Sequence, residues 1–388
     1  MEVDGSRVSL PEEIIFDVLS WLPLKSLTRF RCVSKGWRTL ISDPAFIATH
    51  KSRDAPLLVG SFAVPHDPCP MNTHNFDEAP ELRVMDTDGN VLRVLKDVVG
   101  TVLSPTRLDL VCVDEGRHDA RVIDPATGQV LTVGRYVGDD EPIADLAYAL
   151  QGYSVSRFGR ASPSGDYKVV RLLGTEDIGM GYFNSHVCEV ATLEDGSTDL
   201  RWRTRQKCPI RICSCDCCTV AINGVIYFLP HAAHAQQGLW NYIARFDLES
   251  EHWKTMIDGP PTLRNPKPGQ RLLVAIGELK STLTMVETMQ SEYTSAYIWL
   301  LADSERSVWV KGYTIQSLNS LCRVKALEIL RDGELLLLKT VEKQRGSLSR
   351  ECAILQLYDS STRTCTDLMY MPKDFAGGIT LYTGSLLS

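Results

Sequence analysis

The chain has 388 residues, 44% apolar and 23% charged, with 27 glycines and 19 prolines. These are ordinary globular proportions, and the length suits one small module plus one large domain, or two medium ones. Net charge is −7; residues 1–52 hold seven Lys/Arg against six Asp/Glu, leaving 34 against 42 elsewhere. An acidic body with no basic block argues against nucleic acid and anionic membrane as ligands.

Residues 8–50 carry four helix signatures in succession. Pro11 suits a first helical turn, where its missing N–H costs nothing, and Glu12 and Glu13 complement the positive end of the dipole. Ile14, Ile15, Val18, Leu19 and Leu22 recur as one broad stripe on a 3.6-residue period. Pro23 stops that helix and starts a second, which bears Leu24, Leu27 and Phe30. Ser34 caps a third with Trp37, Leu40 and Ile41 on one face, and Asp43-Pro44 opens a fourth with Phe46 and Ile47. Below about 40 residues a chain seldom folds stably without staples or a partner. No cysteine pair lies here to staple it. The surplus apolar surface predicts an interaction face.

This stretch resembles the F-box in its plant form. The match rests on Leu10-Pro11-Glu12-Glu13-Ile14-Ile15, Val18-Leu19, Leu22-Pro23, Leu27, Arg29-Phe30-Arg31, Val33-Ser34-Lys35, Trp37-Arg38, Leu40-Ile41, Pro44, Phe46 and His50. The resemblance implies docking on an SKP-type adaptor, and through it on a cullin scaffold and RING subunit. The implied docking surface is Leu10, Pro11, Ile14, Ile15, Val18, Leu19, Leu22, Leu27 and Val33, with Trp37 and Leu40 holding the helices together. Trp21 departs from the family, which has a basic or polar residue there. It lies beside Ile14 on a helical wheel, where it either widens the apolar contact or packs on the following domain.

After a linker at 51–56 the pattern changes. Short runs rich in Val, Ile, Leu, Tyr and Trp alternate with Gly, Asp, Pro and Ser turns, as at 57–62, 108–113, 167–173, 220–229, 272–276 and 334–340. Asn223-Gly224 between two apolar runs predicts a tight hairpin. A weak repeat emerges of strand, polar turn and strand, often with a tryptophan, marked by Val122, Glu189, Arg245, Ile298 and Leu357. The steps between markers are 67, 56, 53 and 59 residues, about right for a four-stranded propeller blade with loops. An opening unit at 57–95, with its turn at Asp86-Thr87-Asp88-Gly89-Asn90, makes six.

These segments resemble the plant F-box-associated domain. The pieces are Asp124-Pro125-Ala126-Thr127-Gly128, 165–171 (GDYKVVR), Asn223-Gly224-Val225-Ile226-Tyr227, 246–250 (FDLES), Ile298-Trp299 and Leu357-Tyr358-Asp359, in order over roughly 270 residues. Phe228 departs from it, since the family favours tryptophan after the tyrosine, and so does the loop 208–218. The predicted fold is therefore α+β multidomain: an all-α F-box module at 8–50 and an all-β, six-bladed propeller-like domain at 57–388. Strands around 379–387 are expected to pair with the first blade and remove its exposed edge.

Cys208, Cys213, Cys215, Cys217 and Cys218 are the most reactive-looking cluster, because thiolates bind soft metals. Cysteines two apart on a strand fit a closed tetrahedral site poorly without a turn, although His231 and His234 stand nearby in sequence. The reading taken is a cysteine-rich loop leading into a buried strand, with no metal and no cofactor. His231-Ala232-Ala233-His234 lacks the glutamate of a zinc protease, Gly179-Met180-Gly181 lacks the third glycine of a dinucleotide fold, and no nucleophile elbow or phosphate loop occurs. Trp202, Trp253, Trp299 and Trp309 read as blade core.

No catalytic residue is expected. Residues 1–7 lack the regions of a signal peptide, and no apolar run approaches a membrane span. The 12 cysteines are scattered and no Asn-x-Ser/Thr sequon occurs, so reduced thiols in cytoplasm or nucleus are expected. The resemblance implies the substrate receptor of a cullin–RING ubiquitin ligase, whose β-domain holds an unknown target protein. The alternative is an adaptor-binding protein without ubiquitin-ligase output. A propeller enzyme or sugar-binding module would instead need carboxylates or aromatics clustered at the central channel.

Overall fold

Four short helices come first: α1 (Glu12–Leu19), α2 (Leu24–Phe30), α3 (Lys35–Ile41) and α4 (Pro44–Arg53). Pro11 and Pro23 occupy the positions just before α1 and α2, where a missing N–H is harmless. The Ser34 hydroxyl accepts from the Trp37 N–H at 3.1 Å, and the Asp43 carboxylate accepts from Ala45 N–H at 2.8 Å. α4 continues to Arg53, so it enters the stretch read as linker. The computed structural model describes residues 10–53, 56–64, 79–98, 101–102, 107–116, 119–133, 154–177, 182–193, 202–213, 215–230, 241–264, 271–290, 294–318, 322–330, 332–345, 348–372 and 374–387.

Six four-stranded antiparallel sheets follow, the blades of a propeller. Blade 1 joins β1 (Leu57–Val64), β2 (Ala79–Met85) and β3 (Val91–Lys96) to β24 (Phe375–Tyr382), which lies innermost. Blade 2 is β4 (Thr101–Val102), β5 (Val111–Gly116), β6 (Asp119–Ile123) and β7 (Val130–Val133). Blade 3 is β8 (Ser154–Arg160), β9 (Tyr167–Asp177), β10 (Tyr182–Thr192) and β11 (Arg203–Lys207). Blade 4 is β12 (Thr219–Ile222), β13 (Val225–Phe228), β14 (Tyr242–Asp247) and β15 (His252–Asp258). Blade 5 is β16 (Arg271–Leu279), β17 (Thr282–Gln290), β18 (Thr294–Asp303) and β19 (Val308–Leu318). Blade 6 is β20 (Arg323–Ile329), β21 (Leu335–Arg345), β22 (Leu348–Asp359) and β23 (Thr364–Tyr370).

The sequence markers Val122, Glu189, Arg245, Ile298 and Leu357 each fall in the third strand of a blade. That is why their spacing reads out the blade period. Ring closure is as expected: β24 pairs antiparallel with β1, Leu58 opposite Leu381 and Gly60 opposite Ile379. The last strand thereby covers an edge that would otherwise be open.

Hydrophobic side chains fill all six junctions between neighbouring blades. Val59 and Val111 meet between blades 1 and 2, Cys112 and Phe158 between 2 and 3, and Leu172 and Phe246 between 3 and 4. Ile243 with Met285, Ile298 with Leu337, and Leu355 with Ile379 complete the circle. Trp202, Trp299 and Trp309 are buried in these layers, and Trp253 packs edge-on to Phe246 at 5.1 Å.

The first strands of successive blades touch around the axis, β24 with β4, β8 with β12, and β12 with β16 and on to β20. They run the same way, so their downstream ends share one face. The turns leaving those ends interlock there. The Asn223 amide donates to the Ser281 carbonyl, and Gly224 sits against Ser162.

Candidate docking surfaces

α1 has two apolar faces. Leu19 is buried with Leu24, Leu27, Ile41 and Phe46, and Ile15, Phe16 and Leu22 pack against that core. Phe16 meets Phe46 edge-on at 5.2 Å, Phe30 meets Trp37 likewise at 5.2 Å, and Trp37 and Leu40 join the helices as expected. The other face holds Ile14 and Val18, at i and i+4, with Trp21 in the turn just past the helix. These are 47%, 55% and 61% exposed, with Leu10 at 60% and Val33 at 63%.

The nine residues expected on the docking surface therefore divide. Leu10, Pro11, Ile14, Val18 and Val33 are exposed, and Ile15 and Leu22 are half-buried. Leu19 and Leu27 are corrected to core: they are 2% and 0% exposed and offer no surface. The reason is geometric. A stripe containing both i and i+1 residues spans two sides of a helix, and periodicity alone does not say which side meets the module's own interior. Trp21 points out to solvent beside the exposed stripe.

The helical module is fastened to the ring by Leu92, by Arg31 and by the segment 383–387, which was expected as strand but lies beyond the end of β24. Leu387 is fully buried in the helical core, and Leu386 and Leu92 pack on it. The Arg31 guanidinium donates to the Leu387 carbonyl at 2.8 Å. His50, buried and stacked on Phe46, makes a 2.9 Å hydrogen bond with the Leu22 carbonyl. The segment 383–387 leaves the downstream end of β24, so the helices hang on the face where the inner strands end. A pair of leucines past the last strand carries no periodic signal of its own.

The channel is crossed on that same face by Arg107. Its guanidinium donates to Glu328 Oε2 at 2.6 Å, to the Leu327 carbonyl at 2.6 Å and to the Glu278 carbonyl at 3.1 Å. Burial pushes the Glu278 carboxyl above its ordinary value, and Arg107 opposes the shift. Two carboxylates thus do stand at the channel, where the sequence placed none, and they are bound to an arginine. No repeat unit contains all three residues, which is why their meeting was not legible.

The loop 208–218 joins the outer strand of blade 3 to the upstream end of β12, on the opposite face. A one-turn 3₁₀ helix, Asp216–Cys218, closes with the Cys218 N–H on the Cys215 carbonyl at 3.0 Å. Cys213 N–H donates to the Leu229 carbonyl at 3.0 Å, and Leu229 N–H to the Cys218 carbonyl at 2.9 Å. The Sγ atoms of Cys213, Cys215 and Cys218 lie within 4.8 Å of one another. The turn whose absence weakened the sequence case for a thiolate site is present. His231 and His234 lie outside the described residues, as does Gly179-Met180-Gly181 up to its last residue.

Comparison with known proteins places both halves. Residues 8–49 match the family model "F-box domain", and residues 77–366 match "F-box associated beta propeller domain". The chain is 25% identical over 336 residues to the Arabidopsis thaliana F-box/kelch-repeat protein At3g23880, covering 81% of this chain and 82% of that one. It is also 25% identical over 331 residues to the Arabidopsis F-box protein At1g47340, covering 78% and 63%.

Proposed function

Because the chain belongs to the F-box proteins that carry an F-box associated β-propeller domain, we propose that it is the substrate-recognition subunit of an SCF-type E3 ubiquitin ligase. The helices hold an SKP-type adaptor, the adaptor joins a cullin and a RING subunit, and the propeller holds the target protein. The chain itself performs no covalent step in this reading. Its contribution is effective concentration, since a tethered target lysine meets the ubiquitin-charged enzyme as an intramolecular partner. The place of action is the cytoplasm or nucleus, in keeping with ten described cysteines that form no disulfide.

One observation carries the proposal. A helical module too small to leave apolar surface idle presents Ile14 and Val18 to solvent on one face of α1, with Trp21 just past the helix, beside Leu10, Pro11 and Val33. The helical core, which Leu386 and Leu387 complete, contains neither Ile14 nor Val18, so these side chains are not needed for its fold.

The test uses Ile14→Asp with Val18→Asp in the full chain, scored by pull-down of a purified SKP-type adaptor. Both side chains are exposed, so the propeller and the helices are expected to keep their circular dichroism and thermal transition while adaptor capture is lost. Undiminished capture removes the docking role. Leu19→Asp is the wrong probe, because it unfolds the buried core and reports on folding.

A further inference from the structure

Three thiols have been gathered on the propeller face opposite the helices, and the docking function uses none of them. Their proximity is built by backbone. The 3₁₀ turn brings Cys215 and Cys218, three apart, to one side. Pairing of Cys213 and Cys218 with the two polar groups of Leu229 sets those residues side by side, and the Ile212–Pro230 bridge extends that pairing by one step. Cys218 is buried in the layer between blades 4 and 5, Cys213 is half-buried against it, and Cys215 is exposed.

A thiolate set of this kind is selective by softness. Sulfur ligands favour zinc, copper(I) and iron–sulfur clusters over magnesium or calcium. Zn–S bonds of about 2.3 Å in tetrahedral geometry put ligand sulfurs about 3.8 Å apart. Separations already within 4.8 Å need only small side-chain rotations to reach that value. Cys217 is one residue from Cys218, their Sγ atoms 3.8 Å apart, and its thiol also meets Cys215, so it stands beside the triad as a fourth sulfur. Its half-buried side chain packs on the apolar layer that Leu229 and Ile243 share.

We propose that Cys213, Cys215 and Cys218 bind a single thiophilic d10 cation, zinc or copper(I), with the fourth coordination position lying beside exposed Cys215 and the neighbouring Cys217 thiol. The ion clips the loop to the upstream end of β12 and offers a Lewis-acidic point on the face away from the adaptor. Binding releases the thiol protons and changes no oxidation state.

The experiment takes the full chain, reduced and handled without oxygen, and titrates it with zinc and separately with copper(I) against a chromophoric chelator. One equivalent per chain is expected for at least one of the two metals, and the tighter arm identifies the ion. Cobalt(II) in place of zinc is expected to give an intense thiolate-to-metal band in the near ultraviolet. Cys215→Ser, at an exposed position, is expected to weaken binding by at least about 100-fold with unchanged circular dichroism. Cys217→Ser is expected to weaken binding less than Cys215→Ser does. Less than a tenth of an equivalent with every thiol titratable, or equal binding by Cys215→Ser, overturns the proposal. So does a disulfide among the three cysteines in chain isolated under air-free conditions.

Discussion

Glu287 is a carboxyl with no solvent exposure, held inside blade 5. It accepts from the Thr262 hydroxyl at 2.6 Å and from the Trp299 indole N–H at 3.0 Å. Lys311, whose ammonium lies 3.9 Å above the Tyr297 ring, is the cation that acts on it. Burial is the largest influence and raises the carboxyl above its ordinary value; the two hydrogen bonds and Lys311 only reduce that shift. The folded chain keeps this proton to higher pH than the unfolded chain, whose glutamates titrate near 4.3. Over that window the native state binds more protons, so stability falls as pH rises through the folded value and is level above it. Glu287→Gln keeps an acceptor oxygen and removes the charge. Its melting temperature is expected to match the parent at pH 4 and to exceed it at pH 7. A gap that is constant or reversed across pH 4–7 contradicts this account.

Turns are the element at which sequence and structure can be compared most closely. In five blades the turn between third and fourth strands opens with an aspartate whose carboxylate accepts backbone N–H groups further on. Asp86 accepts from Asn90 at 2.8 Å, Asp124 from Ala126 at 2.8 Å, Asp247 from Ser250 at 2.8 Å, Asp303 from Glu305 at 2.9 Å and Asp359 from Ser361 at 2.7 Å. A residue with positive φ follows in each: Gly89, Gly128, Glu251, Ser307 and Arg363. Four of these turns were legible as repeat units because aspartate is a turn-former that competes with the strand ladder. The Asp303 turn was not separated from its flanking strands, although Ser304-Glu305-Arg306 is no poorer in glycine and proline than the turns at 248–251 and 360–363.

The first turns of the blades show the same limit. Asn223 and Gly224 have φ of 48° and 81°, the conformation that Asn-Gly announces. Lys280 and Ser281 have φ of 48° and 60° in the equivalent turn of blade 5, yet neither residue type signals it. The Leu279–Thr282 strand pairing and the Asn223 hydrogen bond hold them where propensity does not. Replacing Lys280-Ser281 by Asn-Gly is therefore expected to stabilise the chain by about 1 kcal/mol, through relief of two left-handed non-glycine residues. The Asn223 amide bond survives because its acceptor is the backbone carbonyl of residue 281. A higher urea midpoint at unchanged slope is the measurement; no shift, or a lower midpoint, counts against strain in this turn.

For the molecule as a whole, the docking helices and the ring are one unit because Leu387 belongs to both. The segment that closes the ring continues directly into the helical core, so the adaptor-binding face is held at blade 1 on the side where the inner strands end. Loops between blades, including the cysteine turn, face the other way. A module of four short helices has little stability to spare. Leu387→Ala removes a fully buried side chain from it, a change that costs roughly 2–4 kcal/mol at such sites. None of the six layers between blades contains Leu387. The expected outcome is selective: amides of α1 to α4 exchange with solvent at least tenfold faster, while β-strand amides keep their protection. Adaptor affinity falls with the helices, and restoring bulk with Leu387→Met recovers most of it. Equal loss of protection across helices and blades would mean that the ring itself depends on this leucine. No loss at all would mean that the helices stand alone, with the tail merely resting on them.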